Sequence, residues 1–586
     1  MVKSMKKILL VAMNAKYIHS NPAVYCLKAY AAEYQEQIEI AEYTINQQTD
    51  EILQDIYKRK PDVIAFSCYI WNIVPVLELV GELRQIVPHI PLFLGGPEVS
   101  YNAEELLEKH TELTGILVGE GEEVFSKLVA YYVDGFGALK DIEGLVCRNQ
   151  ENHVLPVQTT AVFHKLPFLY GNTEAGSKLP QEFANRILYY ESSRGCPFSC
   201  SYCLSSIDKK VRFRELETVK KELAYFLENK VVQVKFIDRT FNAKKAHAME
   251  IWQFLKEQDN GVTGFHFEIG ADLLGEEELE LLTSLRVGQV QLEIGVQTTN
   301  PDTLKAICRH ADMKRLKENV LRLQAARRSM LHLDLIAGLP YEDLESFKHS
   351  FDEVYSWQPD ELQLGFLKVL KGSPIHDKKA EYGLCYKSVP PYEVLSTKWL
   401  SYEDICVLKS VEEMLEVYYN SKQFVHSLRF LSHFFSTPFA MYEAFAAYYE
   451  EKGYQVRSLN RLHRYEILEQ FVCEEASGLN LSKEQQEVFR ELLVYDLYLR
   501  EKLKSRPNFA GVALEKKVQQ DYINQMQKQP EKGARLHAEA FVSDRQCAEQ
   551  SGICIKKEHI VIFDYTERDA VTLECRTEEL LDAFEV

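Results

Sequence analysis

The stretch Arg194-Gly195-Cys196-Pro197-Phe198-Ser199-Cys200-Ser201-Tyr202-Cys203 decides how the rest of this 586-residue chain is interpreted. It follows a short apolar run, Ile187-Leu188-Tyr189-Tyr190, that is typical of a buried strand. Three cysteines in C-x-x-x-C-x-x-C spacing can converge from one loop on three irons of a four-iron cluster. The fourth iron would then stay open for another molecule. A structural zinc site usually takes paired C-x-x-C units, and the sequence contains no second pair.

The cysteine motif also points to a family. Cys196, Cys200 and Cys203, with Tyr202 just before the last cysteine, resemble the signature of the radical S-adenosylmethionine superfamily. The resemblance implies a [4Fe-4S] cluster whose open iron chelates the amino and carboxylate groups of S-adenosylmethionine. It also implies reductive cleavage of that molecule to a 5′-deoxyadenosyl radical, with an electron donor such as flavodoxin or ferredoxin as partner.

Composition indicates an ordinary globular protein, with 46% hydrophobic and 26% charged residues over a length typical of three to four domains. A net charge of −19 disfavours nucleic acid as a partner, although a local basic groove stays open. No apolar run approaches the length of a membrane helix, so no membrane partner is expected. Thirteen scattered cysteines suggest reduced thiols, and we therefore predict a cytoplasmic location.

Residues 1–150 alternate strand-like and helix-like segments, which predicts a doubly wound, Rossmann-like α/β domain. Such domains bind ligands beyond the carboxyl ends of their strands. Distinctive residues follow three predicted strands there: Ser67, then Gly95-Gly96-Pro97-Glu98, then Gly119-Glu120. Glycines at these places let a bulky ligand approach the backbone. No G-x-G-x-x-G opens the first helix, which disfavours a nicotinamide cofactor.

The order of these residues resembles the cobalamin-binding domain that precedes the radical domain in a large subfamily. The resemblance implies that Ser67 and the Gly95-Gly96-Pro97 loop surround the nucleotide tail of cobalamin, with Gly119 and Glu120 as further cofactor-binding positions. The Asp-x-His-x-x-Gly motif of mutase-type domains is absent, so cobalamin is expected without a histidine ligand to cobalt. A Rossmann-like domain with a degenerate site is the alternative.

Residues 151–186 have little periodicity and are predicted to be a connector. A short hairpin is expected around Leu145-Val146 and Val154-Leu155. The run Phe163-His164-Lys165-Leu166-Pro167 is interpreted either as packing across two domains or as a plain linker.

From 187 to 374 the alternation resumes and resembles the partial (β/α)6 barrel of the radical superfamily. Barrels place their active sites at the carboxyl ends of the strands. The resemblance assigns Asp238 to the amino group of S-adenosylmethionine, and Glu293 and Gln297 to its ribose and methionine parts. The loop Gly338-Leu339-Pro340 would lie against the adenine.

Three polar residues of the predicted barrel, Asp238, Glu268 and Glu293, have ordinary structural alternatives. Asp238 could instead cap the helix that follows it. Glu268 and Glu293 occupy otherwise apolar strands, where an unpaired acid is costly. A solvated barrel mouth, or a bound ammonium or ribose, would explain both glutamates, and Glu268 is therefore included among the cofactor-binding candidates.

Residues 375–586 are predicted to form a mostly helical domain that ends in strands, and they resemble an uncharacterised domain appended to some cobalamin-dependent radical enzymes. The aromatic-rich segment His433 to Tyr454 is typical of a core stripe, and a wall of the substrate pocket is the alternative. The tail from Ala534 to Val586 is read as strands. Its cysteines lack cluster spacing and are interpreted as free thiols.

Together these patterns predict a cobalamin-dependent radical enzyme that methylates an unactivated centre of a small-molecule substrate. Radical cyclisation or oxidative rearrangement, as in the tetrapyrrole cyclases, is an alternative within the class. A non-catalytic cobalamin or redox sensor is an alternative of another class. An RNA methylthiolase is disfavoured because the N-terminal domain has only three widely spaced cysteines and the tail is not basic.

Overall fold

The computed structural model describes residues 6–148, 163–174, 176–457, 459–511, 514–526, 535–569 and 572–580. The strand Val154-Leu155 of the expected hairpin lies outside these residues. Within the described residues, no helix has both the length and the apolar character needed to cross a bilayer.

The N-terminal part is a six-stranded sheet with helices on both faces. Its strands follow the order β2-β1-β3-β4-β5-β6, and every neighbouring pair is parallel except β5 with β6. The elements are β1 (Ile8–Asn14), α1 (Pro22–Tyr30), β2 (Ile38–Thr44), α2 (Thr49–Arg59), β3 (Val63–Ser67), α3 (Ile73–Ile86), β4 (Leu92–Gly95), α4 (Ala103–Lys109), β5 (Gly115–Leu117), α5 (Gly121–Asp134) and β6 (Leu145–Cys147).

The prediction of a doubly wound domain is confirmed. All seven residues of β1 are buried, because helices cover the central strand of the sheet on both faces. Five apolar runs of the sequence predict strands, and these agree with β1 to β5 within one residue at either end: Ile8 to Met13, Ile38 to Tyr43, Val63 to Cys68, Leu92 to Leu94 and Ile116 to Val118. The carboxyl ends of β3, β4 and β5 therefore lie side by side, and they bring Ser67, Gly95 and Gly119 to one edge.

The middle part is a second sheet of six parallel strands, in the order β7-β10-β11-β12-β13-β14, which confirms the partial barrel. A short antiparallel pair, β8 with β9, carries the cysteine loop. The elements are β7 (Leu188–Tyr190), β8 (Ser193–Arg194), β9 (Arg212–Phe213), α6 (Leu216–Glu228), β10 (Gln233–Phe236), α7 (Lys245–Glu257), β11 (Gly264–Ile269), α8 (Glu276–Thr283), β12 (Val290–Gln297), α9 (Pro301–Ala306), α10 (Met313–Ala326), β13 (Met330–Ala337), α11 (Leu344–Ser356), β14 (Glu361–Phe366) and α12 (Pro374–Asp377).

Alternation along β12 explains how this sheet positions a polar site. Val290, Leu292, Ile294 and Val296 are buried, and the residues between them are only partly buried. Successive strand residues point to opposite faces, so one face of β12 packs in the hydrophobic core while the other carries Glu293.

The C-terminal part begins with a hairpin and continues as a helical layer that ends in a three-stranded antiparallel sheet. This confirms the predicted architecture of helices followed by strands. The elements are β15 (Cys385–Tyr386), β16 (Val394–Ser396), α13 (Tyr402–Met414), α14 (Val425–Leu431), α15 (Pro438–Lys452), α16 (Arg461–Glu475), α17 (Lys483–Arg500), α18 (Lys516–Met526), β17 (Leu536–Ser543), α19 (Arg545–Ser551), β18 (Lys556–Arg568) and β19 (Cys575–Leu580).

The aromatic stripe of α15 belongs to the core. Phe439, Tyr442, Phe445, Tyr448 and Tyr449 are all buried and pack within the same hydrophobic cluster as the barrel helices. These five side chains therefore hold the C-terminal helices against the barrel, and the core interpretation of the stripe applies to them.

The hairpin β15–β16 extends the barrel sheet. The amide of Val369 donates to the carbonyl of Tyr392 at 3.0 Å, and the amide of Val394 donates to the carbonyl of Leu367 at 2.9 Å. The segment 392–394 thereby pairs with the chain that leaves β14, next to the carboxyl end of the barrel. The C-terminal part is thus joined to the barrel by backbone hydrogen bonds as well as by its core.

Candidate functional site

The cysteine loop leaves β8 through a glycine that the geometry requires. Gly195 has a φ of +99°, and a Cβ there would lie 2.6 Å from the carbonyl oxygen of Lys210. The amide of Cys196 then donates to the carbonyl of Asp208 at 2.9 Å. A glycine before Cys196 therefore lets the loop pass close to the chain that leads into β9.

Cys196, Cys200 and Cys203 all line one cavity of about 240 Å³, and Tyr202 lines it too. No fourth cysteine is present among the described residues of its wall. Burial raises the pKa of the Cys196 thiol, although hydrogen bonds from the Phe198 amide and the Thr240 hydroxyl oppose the shift. Three soft sulfur donors on one loop fit an iron–sulfur cluster that leaves one iron without a protein ligand.

Arg309 lies beside the thiols. Its Nη1 is 3.8 Å from Sγ of Cys200, and its other terminal nitrogen donates to the carbonyl of Gly295. A partly buried guanidinium at this position stabilises negative charge on the sulfur. The sequence motifs provided no indication of Arg309, because the residue follows α9 in a loop without any pattern.

The barrel strands deliver acidic side chains to the opposite wall of the same cavity. Glu268 and Glu293 line it, and so does Asp334 of β13. Burial raises the pKa of Glu268 to about 7. Burial alone would raise the pKa of Glu293 as well. A hydrogen bond from His266 (2.7 Å) and the charge of Lys235 (3.1 Å) outweigh burial and lower the pKa of Glu293 to about 2. Among these acids, Glu293 is therefore a carboxylate, whereas Glu268 titrates near neutrality.

Gln297 carries a polar atom that still needs a partner. The residue follows an irregularity in the pairing of β12 with β13 and has a φ of +71°. Its Oε1 is buried and forms no hydrogen bond within the described residues. This unsatisfied acceptor, in the wall of the cavity, can accept a hydrogen bond from a ligand with a donor group. The observation agrees with the expected role of Gln297 in binding S-adenosylmethionine.

Three predicted positions do not lie on the wall of this cavity. Asp238 is fully buried and accepts hydrogen bonds from the Ser192 amide (2.9 Å) and hydroxyl (2.7 Å) and from the Ser193 hydroxyl (2.5 Å). It braces the loop between β7 and β8, and burial raises its pKa to about 6. Gly338 and Pro340 are buried, and a Cβ on Gly338 would lie 2.6 Å from Val394 of the hairpin. Arg239 and Thr240, which follow Asp238 in the sequence, line the cavity instead.

The strand ends of the N-terminal sheet are held in tight turns. Gly96 has a φ of +117°, and a Cβ there would lie 2.4 Å from the carbonyl oxygen of Cys68. Gly119 has a φ of +79°, and its amide donates to the hydroxyl of Ser100 at 3.2 Å. The carbonyl of Ser67 accepts from the side chain of Asn72 at 2.9 Å. The close approach to Cys68 therefore requires glycine at position 96, and the positive φ favours glycine at position 119.

A second cavity, of about 420 Å³, lies between the N-terminal sheet and the barrel. Pro97 and Glu120 line it from the N-terminal side, together with Tyr69. Leu166 and Pro167 of the connector also line it, so this run packs between the two sheets. The wall of the second cavity shares Ser205 and Arg239 with the wall of the cysteine cavity. The two cavities are therefore neighbours.

Ion pairs fix the N-terminal sheet against the cysteine loop. Nη2 of Arg194 is 2.9 Å from Oε1 of Glu122, and its Nη1 is 3.5 Å from Oε2 of Glu120. Both acids follow β5 in the sequence. Arg212 pairs with Glu120 at 2.5 Å. Both guanidinium groups lie over the ring of buried Phe163, at 5.1 and 5.9 Å. Sequence reasoning placed Glu120 among the cofactor residues, and the geometry adds these contacts with the chain that carries the cysteines.

Family models match most of the chain. Residues 8–129 match a model described as a B12 binding domain, and residues 190–354 match the Radical SAM superfamily. Residues 380–574 match DUF4080, which is described as a protein of unknown function.

Curated relatives match a little more than half of the chain. The cobalamin-dependent radical SAM methyltransferase TokK of Streptomyces tokunonensis is 25% identical, over 56% of this chain and 50% of its own length. The anaerobic magnesium-protoporphyrin IX monomethyl ester cyclase of Cereibacter sphaeroides is 22% identical, over 53% of this chain and 52% of its own. The chain spans about half the length of these curated relatives.

A solved structure shares the fold over a longer stretch. The cobalamin-dependent S-adenosylmethionine radical enzyme OxsB, solved with aqua-cobalamin and S-adenosylmethionine bound, superposes with a TM-score of 0.58 at 14% identity. The superposition covers 84% of this chain and 79% of that one. It therefore extends the shared fold beyond the part that the relatives match in sequence.

Proposed function

The chain joins a B12-binding domain to a radical S-adenosylmethionine domain and is homologous to cobalamin-dependent radical methyltransferases, and we propose on this basis that it methylates an unactivated carbon of a small molecule. The observation that carries the proposal is the pair of neighbouring cavities. One is lined by the three cysteines, the other by the strand ends of the N-terminal sheet, and both include Ser205 and Arg239.

Each cavity has residues suited to one group of cofactors. Cys196, Cys200 and Cys203 hold the cluster, and Arg309 offsets the charge of its thiolates. Glu268, Glu293 and Gln297 orient S-adenosylmethionine by their carboxylates and amide. When bound, the cluster and S-adenosylmethionine supply a carbon radical by reductive cleavage, and cobalamin supplies the methyl group.

Cobalamin is assigned to the carboxyl edge of the N-terminal sheet. The tight turns at Gly96 and Gly119 lie at this edge, and Pro97 and Glu120 beside them line the cavity between the domains. Ser67 is the last residue of β3 and therefore lies at the same edge of the sheet.

Two partners complete the proposal. A protein electron donor such as flavodoxin or ferredoxin reduces the cluster, because the chain itself contributes only one cluster motif. Cysteines scattered over the chain as free thiols favour the reducing cytoplasm as the compartment.

Radical cyclisation is the second candidate function. It is favoured by the similarity to the anaerobic cyclase, which extends over 53% of this chain. Both candidate reactions use the same cofactors, so the two differ in what becomes of the substrate radical.

Quantification of the S-adenosylmethionine products tests the proposal and separates the candidates. The reconstituted protein would be incubated anaerobically with cobalamin, a reductant, S-adenosylmethionine labelled in its methyl group and a small-molecule extract. Methylation predicts 5′-deoxyadenosine and S-adenosylhomocysteine in equal amounts, because each turnover consumes one radical and one methyl group. Cyclisation predicts 5′-deoxyadenosine without S-adenosylhomocysteine. Absence of both products would contradict the proposal.

A further inference from the structure

Two residues, Ser205 and Arg239, line both the cysteine cavity and the cavity between the domains. In the proposed reaction the substrate loses a hydrogen atom on the side of the cluster and gains a methyl group on the side of the N-terminal sheet. A substrate that reaches both sides therefore lies where the two cavities meet, against these two side chains. Their chemistry consequently bears on the class of substrate.

Arg239 has a guanidinium group that no residue described by the structure engages. The side chain is exposed, and its guanidinium forms no hydrogen bond or salt bridge among those residues. Its charge acts on Glu268, where it opposes the effect of burial on the pKa of that acid. The pKa of Glu268 nevertheless rises to about 7, whereas a carboxylate in direct contact with an arginine has a lowered pKa. Glu268 is therefore not an ion-pair partner of Arg239.

The acids in the wall of the cavity between the domains are already bound by other arginines. Four acids line this cavity, and each of them forms a salt bridge: Glu120, Glu122, Glu191 and Asp208. Arg194 contacts the first three at 2.8 to 3.5 Å, and Arg212 contacts Asp208 at 2.7 Å. Arg239 lies outside this network of ion pairs, so its charge is available to a ligand.

A second arginine in the same wall has an unsatisfied donor. Arg214 is only 9% exposed, and one of its terminal nitrogens donates to Glu222. Its Nε is buried and has no hydrogen-bond partner within the described part of the chain. A buried donor without an acceptor is costly, and an acceptor group on a ligand would remove that cost. The wall thus offers donors from Arg214 as well as from Arg239.

The two segments that carry these arginines are joined by hydrogen bonds. The amide of Arg214 donates to the carbonyl of Ser192 at 2.9 Å. The amide of Ser192 donates to Asp238, the residue before Arg239, also at 2.9 Å. Both arginines therefore start from backbone that is fixed to the same residue, next to the cysteine loop.

A guanidinium group recognises anions by geometry as well as by charge. Its planar fork can donate two parallel hydrogen bonds to a carboxylate or a phosphate. A neutral analogue would leave these donors without an acceptor inside the cavity, and such a site discriminates strongly against it. Other residues of the wall, among them Leu166, Phe168 and Ile237, are apolar and suit the uncharged body of a small molecule.

We propose that Arg239 binds a carboxylate or phosphate group of the substrate where the two cavities meet, so that the methyl acceptor is an anionic small molecule with an apolar body. Arg239 orients the substrate, and no proton or electron passes through it. This inference rests on the proposed function, because it names the class of substrate for that reaction. S-adenosylmethionine and cobalamin also carry anionic groups, and binding measurements with each cofactor distinguish them from the substrate.

Anion-exchange fractionation of the small-molecule extract tests the class of substrate. The unaltered protein is expected to form extract-dependent S-adenosylhomocysteine with the fraction that the anion exchanger retains. Treatment of that fraction with alkaline phosphatase then identifies the anionic group, because loss of activity indicates a phosphate ester and unchanged activity indicates a carboxylate. Activity confined to the fraction that flows through would overturn the proposal.

Substitution of Arg239 tests the contact itself. In Arg239→Met, the KM for the retained fraction is expected to rise by about tenfold or more, because charge-assisted hydrogen bonds are lost. Arg239→Lys keeps the charge without the fork and should recover part of the loss. The Kd values of S-adenosylmethionine and cobalamin should stay within about twofold of those of the unaltered protein. An unchanged KM, or a cofactor Kd that rises as much as the KM, would overturn the proposal.

The matched control is Arg328→Met. Arg328 is exposed and lies just before β13, at the amino end of the barrel and therefore away from the site. This variant loses the same charge as Arg239→Met, and its KM should equal that of the unaltered protein. An equal rise of the KM in both variants would attribute the effect to net charge and would contradict a contact at Arg239.

Arginine labelling gives a readout that does not depend on catalysis. The reconstituted protein, with cobalamin bound, would be treated with phenylglyoxal, which reacts with free guanidinium groups, and its peptides would be analysed by mass spectrometry. At constant ionic strength, inorganic phosphate or acetate should slow the labelling of Arg239 by about threefold or more and leave that of Arg328 unchanged. Equal protection of both arginines, or of neither, would overturn the proposal. Selective protection of Arg239 without methylation by any fraction would instead refute the proposed function and leave the anion site in place.

Discussion

The hydroxyl of Tyr392 donates a hydrogen bond to the carboxylate of Glu98, which ends the Gly95-Gly96-Pro97-Glu98 loop. Burial raises the pKa of Glu98, and the bond from Tyr392 partly opposes the shift. The carbonyl of Tyr392 also accepts from Val369 beyond β14. A single residue of the C-terminal part thus holds the N-terminal loop next to the barrel, at the edge where we propose that cobalamin binds.

Loss of the Tyr392 hydroxyl should therefore weaken cobalamin binding. In Tyr392→Phe we expect the cobalamin Kd, measured by absorbance titration, to rise by about tenfold, because a partly buried bond to a carboxylate is lost. Tyr386→Phe is the matched control, since the Tyr386 hydroxyl forms no hydrogen bond within the described residues of the same hairpin. Equal Kd values for the two variants would contradict the bracing role.

Gly96 should tolerate no side chain. A Cβ there meets the Cys68 carbonyl at 2.4 Å, and backbone cannot move aside cheaply. We expect Gly96→Ala to lower the free energy of unfolding by about 3 kcal/mol and to abolish cobalamin retention. Gly137→Ala is the control, because Gly137 also has a positive φ (+80°) but has nothing within 4 Å of the place that a Cβ would take. The control should lose only about 1 kcal/mol. A similar loss in both variants, measured by chemical denaturation, would refute the steric argument.

Binding of S-adenosylmethionine should depend on pH through Glu268. Burial raises its pKa to about 7, so below that pH the carboxyl group is largely neutral. The cationic ligand favours the ionised form, and binding below pH 7 must therefore release a proton. As the pH rises toward the pKa of Glu268, we expect the ligand Kd, measured by anaerobic equilibrium dialysis, to fall by up to about tenfold per pH unit. Above the pKa, the Kd should level off. Glu293, with a pKa of about 2, is already ionised over this range.

Glu268→Gln should remove that pH dependence, because glutamine does not titrate. The raised pKa of Glu268 also makes the free energy of unfolding depend on pH, in the direction opposite to that of a salt-bridged acid. The folded state holds the Glu268 proton more tightly than the unfolded chain does, so stability falls as the pH rises from about 4.5 to 7. A Glu268→Gln variant whose ligand Kd keeps the pH dependence of the unaltered protein would exclude Glu268 as the titrating group.

Asp238 should act on the cysteine loop rather than on the ligand. It accepts three hydrogen bonds from Ser192 and Ser193, which Asn cannot fully replace because its amide would face donors. We expect Asp238→Asn to cost about 3 kcal/mol of stability and to lower the iron content after reconstitution. Ser193→Ala, which removes one of the three donors, should show a smaller loss. Unchanged stability and iron content, with a raised KM for S-adenosylmethionine, would instead favour the ligand contact expected from the sequence.

The sequence was sufficient for the parts of the fold that depend on local pattern. Apolar runs between amphipathic helices predicted β1 to β5, and polar residues at the strand ends predicted that Glu268, Glu293 and Gln297 would lie close together, as they do in the wall of one cavity. These predictions succeed because parallel strands bring their carboxyl ends to one edge whatever the connecting loops contain.

Contacts that depend on tertiary structure could not be predicted in this way. Tyr392 and Glu98 are 294 residues apart, and no local pattern relates them. Arg309 gains its role only because α9 ends beside Cys200. The sequence allowed two interpretations of Asp238, as a helix cap or as a ligand contact. In the structure its carboxylate accepts hydrogen bonds from Ser192 and Ser193, which lie between β7 and the cysteine loop. Such roles require the positions of partners that are distant in sequence.

Mössbauer spectroscopy of the anaerobically reconstituted protein tests the central claim most directly. The account predicts a four-iron cluster in the unaltered chain, with one iron whose spectrum changes when S-adenosylmethionine is added. Cys200→Ala should lose the cluster, whereas Cys308→Ala, which removes an exposed thiol nearby, should keep it. A chain that forms no cluster, or a cluster in which no iron responds to S-adenosylmethionine, would contradict the account.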